Sequence, residues 1–536
     1  MSTLLLQPPL KGAGLLWLLL LLLCGNRCRS SEILVIFPHA SESHFAVLRT
    51  LVNELVDRKH NVTVYGSHGL GERLDNVTEI VTPEYDFWSK LQQHAAPGGN
   101  LDDLSRLADS KLRSSLANVG AQAMDNFLSQ QPLQALLQLP TDQFNFDVII
   151  VDLFYTEALL ALGQKHNKPT IGIVSTDFGS YMNAVQESLV PVACSPIDFE
   201  QYTADIGFST RLANIRDCIA RRKRFHKDHY EAQDQVITKH FKTTKTVVEL
   251  QAHHLSLLLL NNHVPLLTPR PLIQQIVPAG GLHIRGPREL PWNIKRFIEE
   301  SRPGVIYMQL GNEQLCGNLP KQKLATLFEF LGARNERVIW TCHDVKKLEG
   351  QPKNLMIQHA VPQIDILAHP GVRAFIMNGD LLSLQEGIVR HVPMLGLPIF
   401  QNERKNMQLA VNLGIALQLD STNITTAALN WALDELTTQQ KYQLTIREVS
   451  SEFRDRPLGA VASAMFWVNY MVRHKSGAAL RTRGIDIASS HLHLFDLFTF
   501  YFGVAIAFCA LLLGGYFAVV FVLKRKENEA KYSKLS

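Results

Sequence analysis

The chain has 536 residues, 46% of them hydrophobic, and a formal net charge of +4. That length accommodates two α/β domains plus further segments, and the apolar share is that of a folded protein. The charge is small and its basic residues are dispersed, which argues against a nucleic-acid-binding surface.

The N-terminus carries "GLLWLLLLLLC", Gly14 to Cys24, behind Lys11. The run is short for a membrane span and reads as a signal peptide over residues 1–30, processed around Cys28 to Ser31. "EILVIFP" then predicts a buried strand, Glu32 to Pro38. Phe45, Leu48, Leu51, Val52, Leu55 and Val56 follow at helical spacing, and "NVTVY" supplies a second strand. Strand, helix, strand with short links is a parallel βαβ unit. "FDVIIVD", Phe146 to Asp152, and "KPTIGIVS" continue the pattern, giving a doubly wound domain over 31–283. Within it, Pro191 to Gln251 reads as a charged, solvated helical insertion beside a pocket. Its run Arg221-Arg222-Lys223-Arg224 reads as an exposed helix face.

"VPAGGLHIRGPRELPW", Val277 to Trp292, marks a linker. A second α/β pattern over 284–480 begins with "GVIYMQLG" and "RVIWTC". Two such domains place a cleft between the carboxyl ends of their strands. After a juxtamembrane stretch, 481–496, an uncharged run from Leu497 to Leu523 is long enough to span a bilayer. Lys524-Arg525-Lys526 follows, which predicts a cytosolic tail over 524–536 and a lumenal or extracellular body. Sequons at Asn61, Asn76 and Asn423 agree with that side, with Asn76 the better placed because Asn61 begins a strand. Of seven cysteines, Cys194, Cys218, Cys316 and Cys342 lie in the body. No CxxC pair or carboxylate cluster suggests a metal, and disulfide pairing stays open.

Two residues stand out for chemistry. His44 opens the first helix and Asp152 closes "FDVIIVD", so both sit at carboxyl ends of parallel strands. An imidazole at a helix N-terminus is placed to accept a proton, and an aspartate on its other nitrogen would orient it. Spacing alone equally fits an ordinary helix-start histidine and a strand-end aspartate. In "FIMNGDLLSLQEGIVRHVPMLGLPIFQNERKNM", Phe375 to Met407, a strand, a Gly turn and a helix make an arrangement that often holds phosphates. Asp380 sits where those phosphates would lie.

"SHF", the run Arg58 to Val64, "FDVIIVD", "QPKNLMIQHAVPQIDILAHPGVRAFI" and "LLSLQEGIVRHVPMLGLP" together resemble the UDP-glycosyltransferase family. The form is the membrane-bound, UDP-glucuronosyltransferase-like branch common in insects, and the resemblance runs from signal peptide to basic tail. It implies two facing Rossmann-like domains of the GT-B type, an acceptor site on the first and a UDP-sugar site on the second. It also implies a UDP-sugar co-substrate without other cofactor, a small lipophilic hydroxyl acceptor and residence in the endoplasmic reticulum membrane. It puts His44 on the catalytic base and Asp152 on its partner. Oligomerisation, with itself or a relative, stays open.

The donor side departs from the family pattern. The usual W-x-P-Q is Ala360-Val361-Pro362-Gln363 here, and losing a stacking aromatic costs roughly 1–3 kcal/mol. The usual T-H-G-G is Met377-Asn378-Gly379-Asp380. At ~5 Å and an effective dielectric of ~20, Asp380 would repel each phosphate charge by on the order of 3 kcal/mol. A milder expectation makes Asp380 an ordinary first-turn helix residue facing solvent. The S-x-G-S turn is Gln309-Leu310-Gly311-Asn312, and the D-Q pair that holds sugar hydroxyls is Asn402-Glu403. Gln363, Ser383, Gln385, Glu386 and Asn406 match the family. The resemblance thus implies either a transferase with altered donor use, or a membrane-anchored binding protein or partner subunit on the same fold.

Overall fold

A computed structural model describes residues 30–532 apart from 39–41, 72, 98–102, 104–106, 108, 176–207, 268–271, 312–318, 343–349, 360, 483–485 and 487–494. The signal peptide, Cys194, Cys316, Asn312 and Ala360 lie outside the described residues.

The first sheet contains β1 (Glu32–Phe37), β2 (Asn61–Gly66), β3 (Val77–Val81), β4 (Val148–Asp152), β5 (Thr170–Val174), β6 (Leu255–Leu260) and β7 (Ile276–Pro278). Their order is β3-β2-β1-β4-β5-β6-β7 and every pairing is parallel. The second contains β8 (Val305–Gln309), β9 (Arg337–Thr341), β10 (Leu355–Gln358), β11 (Val372–Met377), β12 (Met394–Gly396) and β13 (Ala416–Gln418). Their order is β10-β9-β8-β11-β12-β13, again all parallel. Central strands such as β1 and β4 are apolar on both faces because helices cover both sides of each sheet; Ile33 to Ile36 and Val148 to Val151 are 0% exposed.

Strand order reverses between β1 and β4 in one sheet and between β8 and β11 in the other. Such switch points open a crevice beyond the strands' carboxyl ends, which is where ligands bind in open α/β sheets. Three helices stand at these points. They are α1 (Glu42–Asp57) after β1, α2 (Leu381–Val389) after β11, and α3 (Gln401–Asn412) after β12.

The chain then returns to its first half. In α4 (Ala460–His474), Ala464, Met465, Val468 and Met471 are buried in one core with Ile33, Phe45, Leu51 and Val52. Leu382 of α2 joins the same core, and Gln385 donates to the carbonyl of Asn261 at 2.8 Å. These contacts tie the two sheets together on both sides of the linker.

The insertion is only partly the solvated feature the sequence predicts. Lys223 and Arg224 are exposed, but its later turns are core. His229, Gln233 and Ile237 are 0% exposed, because Tyr230, Val236 and Ile237 pack against the first sheet's helical layer. The charged residues occupy the outward stripe, which dominates the composition and conceals the apolar one. Cys342 is disulfide-bonded. Asn61 donates to Glu32 at 2.6 Å between the starts of β1 and β2, whereas Asn76 and Asn423 are exposed. A last helix, α5 (Phe495–Tyr532), exposes an apolar surface long enough to cross a membrane.

Candidate active site

The first switch point places His44 in the opening turn of α1 and Asp152 at the end of β4. Both are buried, at 8% and 1% exposure. His44 Nδ1 lies 3.8 Å from Asp152 Oδ2, beyond hydrogen-bond length, and neither atom has another hydrogen-bond partner. Ser175 donates to the other Asp152 oxygen at 3.4 Å. The ring of Phe154 meets His44 edge-on at 5.0 Å and reaches Phe87 at 6.3 Å. Trp88 in turn faces Phe400 of the second domain at 6.1 Å. Ile399 is buried with Phe87, Leu91 and Val119, so the cleft has an aromatic wall built from both domains. Sequence reasoning missed this wall, although Phe154 stands two residues beyond Asp152.

The loop that carries Phe154 is braced from behind. Gln233 donates to the carbonyl of Tyr155 at 2.8 Å and accepts from the Ala158 amide at 3.3 Å. His229 pairs with Glu157 at 3.0 Å, both fully buried. The insertion thus holds the rim of the cleft.

At the second switch point, Asn378 and Gly379 follow β11, and Asp380 caps α2. The backbone turns at Gly379 with φ +102, a conformation that side chains disfavour. Asp380 Oδ1 accepts from the Ser383 amide at 2.9 Å, so the carboxylate occupies the helix's own N-terminal donor. It does not turn to solvent. Its other oxygen is buried without a hydrogen-bond partner. Burial pushes the Asp380 carboxyl up, against the pull of the Ser383 amide and of His44 across the cleft.

Asn378 and Glu403 are one unit. Asn378 donates its amide to Glu403 Oε1, while the amides of Ile399 and Phe400 donate to Oε2 at 2.8 and 2.9 Å. Asn378 and Glu403 therefore complement each other across 25 positions of sequence. Burial pushes the Glu403 carboxyl up to about 7, against these three donors. Asn402 is half-buried in the first turn of α3. Asn406 donates to the carbonyl of Gly379 at 3.0 Å, holding the turn from the same helix. Gly311, with φ +77, faces Asn378: a Cβ there would lie 3.7 Å from its Nδ2.

Gln363 gathers the remaining donor-side residues. It donates to Ser383 and to Glu386, both at 2.9 Å, and accepts from the Tyr307 hydroxyl at 3.1 Å. His283 lies 3.7 Å from Glu386. Burial pushes the Glu386 carboxyl up to about 7 from 4.5, against the pull of Gln363 and, more weakly, of Arg390 and Arg285. The folded protein therefore holds that proton more tightly than the unfolded chain. The stabilisation is fully present below pH 4.5 and is lost as pH rises through about 7. The loss is on the order of 3 kcal/mol. Glu386→Gln is expected to flatten the fall of melting temperature across that window, and parallel wild-type and variant curves would contradict it.

Two all-parallel sheets, each with a switch point at the carboxyl ends of its strands, form the two-domain fold of GT-B type glycosyltransferases. A family model described as "UDP-glucoronosyl and UDP-glucosyl transferase" matches residues 32–529, and the chain belongs to that family. UDP-glycosyltransferase UGT5 of Dactylopius coccus is 27% identical over 523 residues, covering 93% of this chain and 97% of that protein. UDP-glucuronosyltransferase 1A7 of Mus musculus is 24% identical over 499 residues, covering 91% of each. Among solved structures, Phytolacca americana UGT2, complexed with UDP-2fluoro-glucose and pterostilbene, superposes with TM-score 0.54 at 17% identity. It covers 83% of this chain and 100% of that one. The glycotransferase of kitacinnamycin gives TM-score 0.55 at 18% identity with the same coverage.

Proposed function

We propose that this chain transfers a hexose, glucose or glucuronic acid, from a UDP-sugar to the hydroxyl of a small lipophilic compound. The observation that carries the reading is the pair His44–Asp152, facing the donor-side helix N-termini from the opposite switch point. His44 takes the proton of the acceptor hydroxyl. The acceptor oxygen forms its bond to the anomeric carbon as the bond to UDP breaks, and UDP leaves with the electron pair. Asp152 stabilises the imidazolium that forms. One displacement inverts the anomeric centre. Phe154, Phe87 and Trp88 supply the apolar surface for the acceptor body. On the donor side, Glu386 is assigned the ribose hydroxyls, with Gln363 and Ser383 holding it in place. Asn378, Gly379, Gly311, Asn312, Asn402 and Glu403 are assigned the diphosphate and sugar.

We further assign the body to the lumen of the endoplasmic reticulum, with α5 as a single anchor. Microsomes containing the full chain, given UDP-glucose or UDP-glucuronate and a panel of phenols and sterols, are expected to form acceptor glycosides by mass spectrometry. No product with any donor would count against transfer. A second reading, a membrane-anchored binding protein or partner subunit, is favoured by one observation: Asp380 already caps the helix end a phosphate would use.

A further inference from the structure

No hydrogen bond fixes the His44 ring at Nδ1, because Asp152 stands 3.8 Å away and the atom has no other partner. The orientation of the ring therefore depends on what packs against it, and Phe154 meets it edge-on at 5.0 Å. Whatever seats Phe154 bears on the proton transfer.

Phe154 belongs to the loop after β4, and that loop is strained. Tyr155 has φ +58, a left-handed conformation uncommon for a bulky side chain. Such strain persists only where surrounding groups over-determine it, and it gathers at functional sites. Three groups close on Tyr155. Gly120, in the helix Asp109–Ser129, approaches so near that a Cβ there would lie 2.6 Å from Tyr155 Cβ. His229, in the π-helical turn His226–Tyr230, meets the Tyr155 ring edge-on at 4.8 Å. Gln233, at the start of the helix Glu231–Phe241, ties the loop at two points. Its amide nitrogen donates to the Tyr155 carbonyl at 2.8 Å, and its oxygen accepts from the Ala158 amide at 3.3 Å. One carboxamide supplies both a donor and an acceptor, which a carboxylate or a thioether does not. Gln233 and Ala158 are 0% exposed, so water does not replace these bonds.

We propose that Gln233 is a positioning residue for the transfer step: it closes the loop after Asp152, the loop seats Phe154, and Phe154 orients His44. The inference rests on the transfer reading above. Removing the carboxamide orphans a buried carbonyl and a buried amide, and the strain at Tyr155 is then relieved by movement of its neighbours. A shift of ~1 Å at the reacting groups can cost about 10²-fold in rate. The donor-side residues stand on the second sheet and keep their own contacts.

Steady-state kinetics of the detergent-solubilised full chain test the proposal, with UDP-glucose or UDP-glucuronate as donor and 4-nitrophenol, or the panel member that reacts fastest, as acceptor. Gln233→Met keeps length and packing but removes both hydrogen bonds. It is expected to lower kcat at saturating donor by about tenfold or more, with UDP affinity by calorimetry near wild type. Asp125→Ala is the control for stability alone. It breaks the bonds at 2.6 and 2.7 Å to Lys239 and His240, which fasten the same helix without touching the loop. It is expected to lower the melting temperature and leave kcat near wild type. Gly120→Ala pushes on Tyr155 from the other side, and carries the test should the first variant fail to fold. It is expected to give the same kinetic signature, and the double variant to lose less than the product of the two single losses. Wild-type kcat in Gln233→Met and Gly120→Ala, an equal kcat loss in Asp125→Ala, or a parallel loss of UDP affinity would overturn the role while leaving the transfer reading intact. A wild-type chain that transferred sugar to no acceptor of the panel would take down the transfer reading, and this role with it.

Discussion

Replacing His44 with alanine is expected to lower sugar transfer by roughly 10²–10⁴-fold, the range for removing a general base. The substitution leaves the second sheet's turn untouched, so UDP affinity should change little. It also deletes the ring that meets Phe154, so the acceptor's apparent affinity should weaken modestly. Asp152→Asn should cost less. At 3.8 Å the carboxylate acts on His44 through charge rather than through a hydrogen bond, and the amide keeps the shape. Turnover measured at saturating donor separates the two effects. Full turnover in His44→Ala would place the base elsewhere.

Gly379→Ala is expected to be the most damaging single-methyl change on the donor side. The position has φ +102, and an added Cβ would fall 2.6 Å from Met407 Cγ and 2.8 Å from the carbonyl oxygen of Glu403. The second contact is with backbone, which cannot rotate away. Backbone strain and overpacking together cost on the order of 3 kcal/mol. The displacement would also move Asn378 and Asp380, so UDP binding should fall with stability. Gly311→Ala is the control: φ is +77 there, but among the described residues the added atom meets the Asn378 side chain alone, no nearer than 3.7 Å. Denaturant titration of both variants checks the difference. Equal and small losses would show that the turn tolerates a side chain.

The two-domain architecture was legible because parallel strands buried on both faces leave continuous apolar runs such as Ile33 to Phe37 and Val148 to Val151. The switch points follow from the same reading, since His44 opens the helix after β1 and Asp152 ends its neighbour β4. The wall of Phe154, Phe87, Trp88 and Phe400 was not legible, because it joins segments from both domains. The pairing of Asn378 with Glu403 was equally hidden. Each looks like an isolated departure from the family pattern, and only the fold brings the two side chains into contact across 25 positions of sequence. The return of α4 to the first core has the same cause: its apolar face gives no indication of which sheet it covers. Asp380 shows the limit of residue type alone, since repulsion, capping and solvent exposure all fit an aspartate at a helix start, and the geometry selects the cap.

The most direct test is the anomeric configuration of the product, read by proton NMR on glycoside formed from an α-linked UDP-sugar by the full chain. A β-linkage to the acceptor hydroxyl, formed by wild type and lost in His44→Ala, is the predicted result. Retention of the α configuration, or tight UDP binding with no glycoside from any acceptor, would contradict single displacement at His44.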